Sequence, residues 1–266
     1  MTLSQIVERA LEEDIGSGDV TTNLCVPPDR TASGRFLVRE SIMVAGAELL
    51  PIMYDDIEIK AASGSRLEAG QEIATARGRA RTLLTRERVA LNFLQHLSGI
   101  ATQARKYVDA VAGTGCRILD TRKTIPGLRE LEKMAVRAGG ATNHRMGLFD
   151  AVLIKNNHIT AAGGVRAAIE ATRDANVPVQ IEVRTRAELE EALKCGAKKL
   201  LLDNLSPAEA KEWIRYIARR ATVELSGGIT LDTVRAYAET GADFISVGAI
   251  THSVRAVDIH FQLELE

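Results

Sequence analysis

The polar residues able to do chemistry in this chain follow short apolar runs, and they are of three kinds. Cations come first: Arg122 and Lys123, preceded by Asp120 and Thr121, leave the run Arg117–Leu119, His144 and Arg145, preceded by Asn143, leave a weaker segment around Gly140–His144, and Lys155 leaves Ala151–Ile154. Carboxylates come next, with Glu182 inside Val179–Val183 and Asp203 directly after Lys199–Leu202. Two glycine turns complete the series, Ser226-Gly227-Gly228 after Thr222–Leu225 and Val247-Gly248-Ala249 at the end of the run from Phe244.

Each kind points to a ligand. Paired glycine turns bring backbone N–H groups close to a ligand at the positive ends of the helices that follow, which suits a phosphate. A single Arg or Lys is readily a solvated surface charge. Arg122, Lys123, Arg145 and Lys155 at one mouth, however, would repel one another unless a polyanion fills it, with arginine making bidentate contacts to carboxylate or phosphate. Arg88 and His144 are candidates to join them, His144 having a hydrogen-bonded structural role as its alternative. Glu182 and Asp203 can pair with these cations, accept hydrogen bonds from sugar hydroxyls, or hold Mg²⁺, which favours a few carboxylates plus substrate phosphate oxygens. His144 and His158 lack the third ligand of a zinc site. Lys155 taken alone also admits a Schiff-base barrel lyase.

These residues meet only if the runs are parallel strands. After Gly115 each run is followed by a polar loop and then a helical pattern such as Arg186–Lys194 or Pro207–Arg219, at intervals of roughly 20 to 30 residues, the rhythm of βα units. In a closed βα barrel the loops after the strands converge on one mouth. About 140 residues are too few for an eightfold barrel, which takes ~250, so fewer strands are expected, with a weak one near Gly140–His144. Upstream, Gly34–Val38, Ile57–Ala61 and Gln71–Thr75 read as antiparallel strands, and Thr85 as the N-cap of a helix. On that helix Arg88 and Asn92 share a face apart from Val89, Phe93, Leu94 and Leu97. The expected organisation is a sheet-rich domain over 1–101, a barrel over 102–254, and a tail, 255–266, packing back on the first domain.

The 266 residues carry a formal net charge of −1, and the pI is near 6.6. This balance removes any global electrostatic case for nucleic acid or an anionic membrane as partner, so a bound anion must be met by local charge. The segment Met1–Glu13 mixes charged and apolar residues unlike a signal or transit peptide, and nothing approaches a membrane span. Cys25, Cys116 and Cys195 are widely spaced and odd in number, which suits apolar fillers of a cytoplasmic protein rather than a disulfide framework or zinc knuckle.

The chain resembles the quinolinate phosphoribosyltransferases almost end to end. The resemblance is carried by Glu13-Asp14, Gly18-Asp19-Val20-Thr21-Thr22, Glu87-Arg88, Leu91-Asn92 and His96-Leu97-Ser98-Gly99-Ile100-Ala101-Thr102. It continues through Asp120-Thr121-Arg122-Lys123-Thr124, Asn143-His144-Arg145, Leu153-Ile154-Lys155-Asn156-Asn157-His158, Leu202-Asp203-Asn204, Ser226-Gly227-Gly228 and Val247-Gly248-Ala249. It implies an N-terminal α/β sandwich joined to an incomplete seven-stranded α/β barrel, the type II phosphoribosyltransferase fold. It also implies a Mg²⁺-requiring reaction of quinolinate with 5-phosphoribosyl-1-pyrophosphate that gives nicotinate mononucleotide, pyrophosphate and CO₂, in de novo NAD biosynthesis. By the same resemblance Arg122, Lys123, His144, Arg145 and Lys155 surround the quinolinate carboxylates and pyrophosphate, Thr121 belongs to the substrate-binding set beside them, Glu182 and Asp203 serve the ribose hydroxyls and metal, and Ser226–Gly228 with Val247–Ala249 take the 5′-phosphate. Arg88 corresponds to an arginine inserted into the neighbouring subunit's active site, which implies at least a homodimer. The chain departs from the pattern at Arg184-Thr185-Arg186, where family members often carry an acidic residue. A related transferase-like protein of molybdenum utilisation shares the fold, and the complete set of cations argues against it.

Overall fold

In the N-terminal part, alternation and turn chemistry build a sheet, and helix formers cover it. The computed structural model describes residues 2–265; Met1 and Glu266, the outer ends of the expected first domain and tail, lie outside the described residues. By its internal contacts the chain divides into two units, one comprising the chain up to Arg105, Thr124–Gly140 and the chain from Ile250 on, the other Lys106–Lys123 and Ala141–Ala249.

The first unit opens with α1 (Leu3–Ile15) and α2 (Val20–Cys25), the latter capped by Asp19, which accepts a hydrogen bond from the Thr22 N–H at 2.9 Å. Strands β1 (Thr31–Val38), β3 (Asp56–Ile59) and β5 (Glu72–Arg79) form an antiparallel sheet, and the short β2 (Ile42–Met43) and β4 (Arg66–Leu67) pair separately. Ala32, Phe36 and Val38 of β1 alternate inward, the period-two burial of a sheet with one covered face. The C-terminal strand Ile259–Leu265 adds to the free edge of β1, antiparallel. A Cβ at Gly34 would overlap the Phe261 ring, so the missing side chain is what lets this strand dock.

A short helix α3 (Leu50–Met53) precedes β3, and β5 runs directly into α4 (Ala80–Ala110). Thr85 is therefore not an N-cap: Ala80, Leu83 and Leu84 are good helix formers that extend the helix five residues upstream of it, and the Thr85 hydroxyl instead donates to Asp19 Oδ2 at 3.0 Å. Helix α5 (Arg129–Ala138) groups with this first unit, although the sequence suggested one barrel over 102–254. Its Glu132 is fully buried, with Oε1 3.1 Å from His96 Nε2 on α4. Burying a carboxylate demands such a partner, and a partner nearby in space but distant in sequence is invisible to periodicity.

The second unit is a parallel sheet of six strands, β6 (Arg117–Leu119), β7 (Val152–Ile154), β8 (Val179–Val183), β9 (Lys199–Asp203), β10 (Thr222–Ser226) and β11 (Phe244–Ser246), in the order β6-β11-β10-β9-β8-β7. Thr142 continues the order beyond β6 through a parallel bridge to Leu119, with the Thr142 N–H donating to Ile118 O at 2.9 Å and the Asp120 N–H to Thr142 O at 3.2 Å. This seventh position is the weak segment expected near Gly140–His144, cut to one bridge where Gly139-Gly140 precede it. Ile181, Val183, Leu200, Leu202, Val223 and Leu225 form one buried face of these strands. Alternation leaves Glu182, Asp203, Glu224 and Ser226 on the other. After β7 come α6 (Asn156–Ala162) and α7 (Val165–Glu170), and after β8, β9 and β10 come α8 (Arg186–Lys194), α9 (Pro207–Ile217) and α10 (Leu231–Ala238); β11 leads into the short α11 (Ala249–His252), which groups with the first unit from Ile250 on. No helix among the described residues is long and apolar enough to cross a membrane.

Candidate active site

Asp120 is the anchor of the cationic side. It is fully buried at the end of β6, accepting from His144 N–H through Oδ1 at 2.7 Å and from Asn143 Nδ2 through Oδ2 at 2.6 Å. One carboxylate thus ties the exit of β6 to the loop after Thr142, the two places from which Arg122 and Arg145 depart. Arg145 is held with its pKa below the usual arginine value, first by partial burial and then by the Arg122 guanidinium, with Asp150 acting the other way. Arg122 and Arg145 are thus near enough for their charges to oppose one another. Arg145 Nη1 also donates to Ala151 O at 3.1 Å, spanning from the Thr142 side to the start of β7. Lys123 stands exposed, its N–H bonded to Thr121 Oγ1 at 3.0 Å. Lys155 stands exposed at the entry of α6, where its N–H donates to His158 Nδ1 at 2.9 Å; His158 serves as a cap of that helix.

His144 is placed differently from a ligand-facing cation. Its Nδ1 accepts the Arg145 N–H at 2.7 Å, which puts the ring proton on Nε2, 3.3 Å from Glu224 Oε2. Both ring nitrogens are engaged inside the protein, so the hydrogen-bonded structural role weighed for this residue describes its geometry. Glu224 is a residue that sequence reading passed over. It is buried in the middle of β10, accepts from Gln180 Nε2 at 2.8 Å, and leaves Oε1 without a hydrogen-bond partner. A cavity of about 350 Å³ adjoins it, lined by Arg117, Gln180, Lys199, Thr222 and Phe244 from the starts of the strands and by His144 and Arg145. The one available signal was a charged residue inside an apolar run, Val223-Glu224-Leu225.

Burial pushes the Glu224 carboxyl up, but the hydrogen bonds and charge of His144, then the bonds from Gln180 and Ser246, more than offset this and hold it below the ordinary value. A depressed carboxyl contributes stability that is complete above the unfolded value, near 4.3, and is lost as pH falls through the lower folded one. Glu224→Gln should therefore lack the part of the acid-side loss of melting temperature that wild type shows below about pH 4. Superimposable pH–stability curves for the two proteins would remove the charged role.

Glu182 and Asp203 come together as expected. Glu182 is buried in β8, Asp203 ends β9, and a single guanidinium joins them: Arg184 Nη2 lies 2.6 Å from Glu182 Oε1 and Arg184 Nε 3.6 Å from Asp203 Oδ2. Asn204 Nδ2 also donates to Asp203 Oδ2 at 2.7 Å. Asp203 pairs in register with Ser226, the first residue of the glycine turn, and the Asn204 N–H donates to Ser226 O at 2.9 Å. The carboxylate pair and the Ser226-Gly227-Gly228 turn are thus neighbours on adjacent strands. Val247, whose N–H donates to Leu119 O at 2.9 Å, carries Gly248 and Ala249 out of β11 beside β6. Arg88 belongs to the first unit, exposed on α4.

Family models describe both parts of this chain. Residues 19–98 match the quinolinate phosphoribosyl transferase N-terminal domain and residues 100–262 its C-terminal domain. The chain belongs to the quinolinate phosphoribosyltransferase family. Among curated family members, the nicotinate-nucleotide pyrophosphorylase [carboxylating] of Mycobacterium leprae is 42% identical, over 97% of this chain and 95% of its own length. A probable enzyme of the same name from Bacillus subtilis is 37% identical over 100% and 94%. The nicotinate-nucleotide pyrophosphorylase structure from Ehrlichia chaffeensis superposes with a TM-score of 0.95 at 36% identity, covering 99% of both chains. Family membership accounts for the incomplete barrel, and it does not favour the molybdenum-utilisation protein or a Schiff-base lyase.

Proposed function

We propose that this protein transfers phosphoribose from 5-phosphoribosyl-1-pyrophosphate to quinolinate and decarboxylates the product, giving nicotinate mononucleotide, pyrophosphate and CO₂ for de novo NAD biosynthesis. What supports the reading most is the delivery, by neighbouring parallel strands, of a carboxylate pair, Glu182 and Asp203, beside a glycine turn, within a chain of this family. The pyridine nitrogen attacks ribose C1 as pyrophosphate leaves, through an oxocarbenium-like centre that Glu182 and Asp203 stabilise electrostatically. Arg122, Lys123, Arg145 and Lys155 hold the two quinolinate carboxylates and the leaving group in place, so that attack needs only correct positioning. His144 holds the Arg145 backbone through its Nδ1, and Thr121 orders the loop that carries Lys123. The quinolinium then loses its 2-carboxylate as CO₂, the ring cation stabilising the developing carbanion until it takes a proton. No protein nucleophile is required.

The N–H groups of Ser226-Gly227-Gly228 and of Val247-Gly248-Ala249 receive the 5′-phosphate. Glu182 and Asp203 fit the hard oxygen ligands Mg²⁺ prefers. As no group of three or more His, Cys, Asp or Glu suited to a metal occurs among the described residues, water and substrate phosphates would complete its shell. When bound, Mg²⁺ supplies charge neutralisation of the departing pyrophosphate. The active assembly is a homodimer or larger, in which Arg88 enters the neighbouring subunit's site. The compartment is the cytoplasm, in keeping with three free cysteines. Burial, with Asp243 nearby, pushes the Cys116 thiol up to about 12, leaving it an inert filler.

The deciding experiment measures pyrophosphate and CO₂ release with quinolinate, nicotinate and other pyridine acids side by side. Release with quinolinate alone is expected, and borohydride trapping of a carbonyl compound on Lys155 without such release would replace the reading. In the same assay, Arg88→Ala and Lys155→Ala proteins, each strongly impaired, should regain activity on mixing, because a hybrid dimer holds one site with both residues intact. Failure to complement would place Arg88 outside the neighbouring site.

A further inference from the structure

Arg184 and Arg186 flank the N-cap of α8 and go to opposite sides. Arg186 turns outward, with Nε 3.0 Å from Glu190 Oε1 and its guanidinium over the Tyr216 ring at 3.5 Å. Arg184 is pinned at its backbone, its N–H donating to Glu188 Oε2 at 2.7 Å, and its side chain folds back over the strand ends. There its guanidinium spans Glu182 and Asp203, although 48% of the side chain remains exposed. Two carboxylates from separate strands thus share one cation of their own chain. Since a buried carboxylate such as Glu182 is costly without a counter-charge, Arg184 stabilises this pair in the ligand-free protein. Anything else cationic must compete with it for the same oxygens.

We propose that Arg184 is an internal counter-ion holding the place of the divalent cation on Glu182 and Asp203, and that metal enters this site only as Arg184 withdraws. The assignment rests on the proposed role of that carboxylate pair. The half-exposed side chain has solvent to withdraw into, and its guanidinium matches a phosphate oxygen edge as well as a carboxylate. An arriving pyrophosphate-bearing substrate therefore offers it another anion at the moment the carboxylates are needed. A divalent cation arriving by itself meets a pair whose charge Arg184 already half neutralises, so the protein discriminates against free metal and in favour of metal that comes with substrate.

The test uses Mn²⁺ alone, without substrate, its free concentration followed by electron paramagnetic resonance. Arg184→Gln is expected to bind one Mn²⁺ about tenfold more tightly than wild type or Arg184→Lys, the scale for removing a half-exposed cation in contact with the site. Adding Glu182→Gln to Arg184→Gln should abolish the gain. Equal affinities of wild type and Arg184→Gln would overturn the proposal, as would a gain that survives Glu182→Gln or one shown equally by Arg184→Lys. Cooperative thermal melts of both proteins, with the Arg184→Gln midpoint somewhat lower because Glu182 loses its counter-charge, establish that the comparison is between folded proteins at the assay temperature. Lack of quinolinate turnover by wild type would instead remove the functional reading and leave the Mn²⁺ comparison standing.

Discussion

Lys155→Ala is expected to lower kcat/KM for quinolinate by about a hundred- to a thousandfold, the scale for losing one group that stabilises developing or bound charge. Its stability should stay within about 0.5 kcal/mol of wild type, because Lys155 is exposed and the cap of α6 is made by backbone atoms and His158. Arg145→Ala should lose activity on the same scale and also some stability. The hydrogen bond from Nη1 to Ala151 O disappears with it, about 1 kcal/mol. Part of that loss is returned, since removing Arg145 relieves its repulsion with Arg122. The contrast between the two variants separates a group that waits for substrate from one that also braces the protein. Steady-state kinetics with quinolinate and thermal melts of the same preparations check both. Wild-type-like turnover in both variants would remove these cations from the quinolinate site.

Gly227→Ala is expected to be the most damaging single-methyl change in the second unit. Gly227 has φ +101°, a conformation that L side chains rarely adopt, and a Cβ there would overlap Asn204 Oδ1 and lie 2.7 Å from the Asn204 backbone nitrogen. The conformational cost is about 1–2 kcal/mol, and the displacement of packed backbone adds about 1–3. For a protein of this size a melting-temperature loss of roughly 5–15 °C follows. Function should suffer beyond stability, because Asn204 hydrogen-bonds Asp203 and a shift of its backbone moves a carboxylate that we propose stabilises the ribosyl centre. At a temperature where the variant is fully folded, kcat should still be depressed at least about tenfold, as misplacement by an ångström commonly costs more than that. A folded Gly227→Ala enzyme with wild-type kcat would show that the Ser226–Asn204 contact is not needed for catalysis.

Much of the second unit was legible in the sequence because each strand is a short apolar run and its loop is polar. All six strands lie at the expected runs to within a residue at either end, and alternation alone puts Glu182 and Asp203 on one face. The start of α4 was misplaced because a Thr followed by Glu resembles a cap, while the actual strand-to-helix passage at Arg79–Ala80 carries no capping residue at all. Glu224 was passed over because a charge inside an apolar run has no periodic signature, and its purpose appears only with His144, Gln180 and Ser246 around it.

The sequence by itself determined the kinds of groups present and the order in which strands deliver them, since these depend on local pattern and strand period. Tertiary structure alone decided which charges neutralise one another. It turned His144 inward to Glu224, grouped α5 with the first unit through Glu132 and His96, and folded Arg184 onto the carboxylates while Arg186 faced away. The physical reason is that burying a charge is tolerable only beside a partner, and that partner lies on another element at a sequence distance no local pattern records.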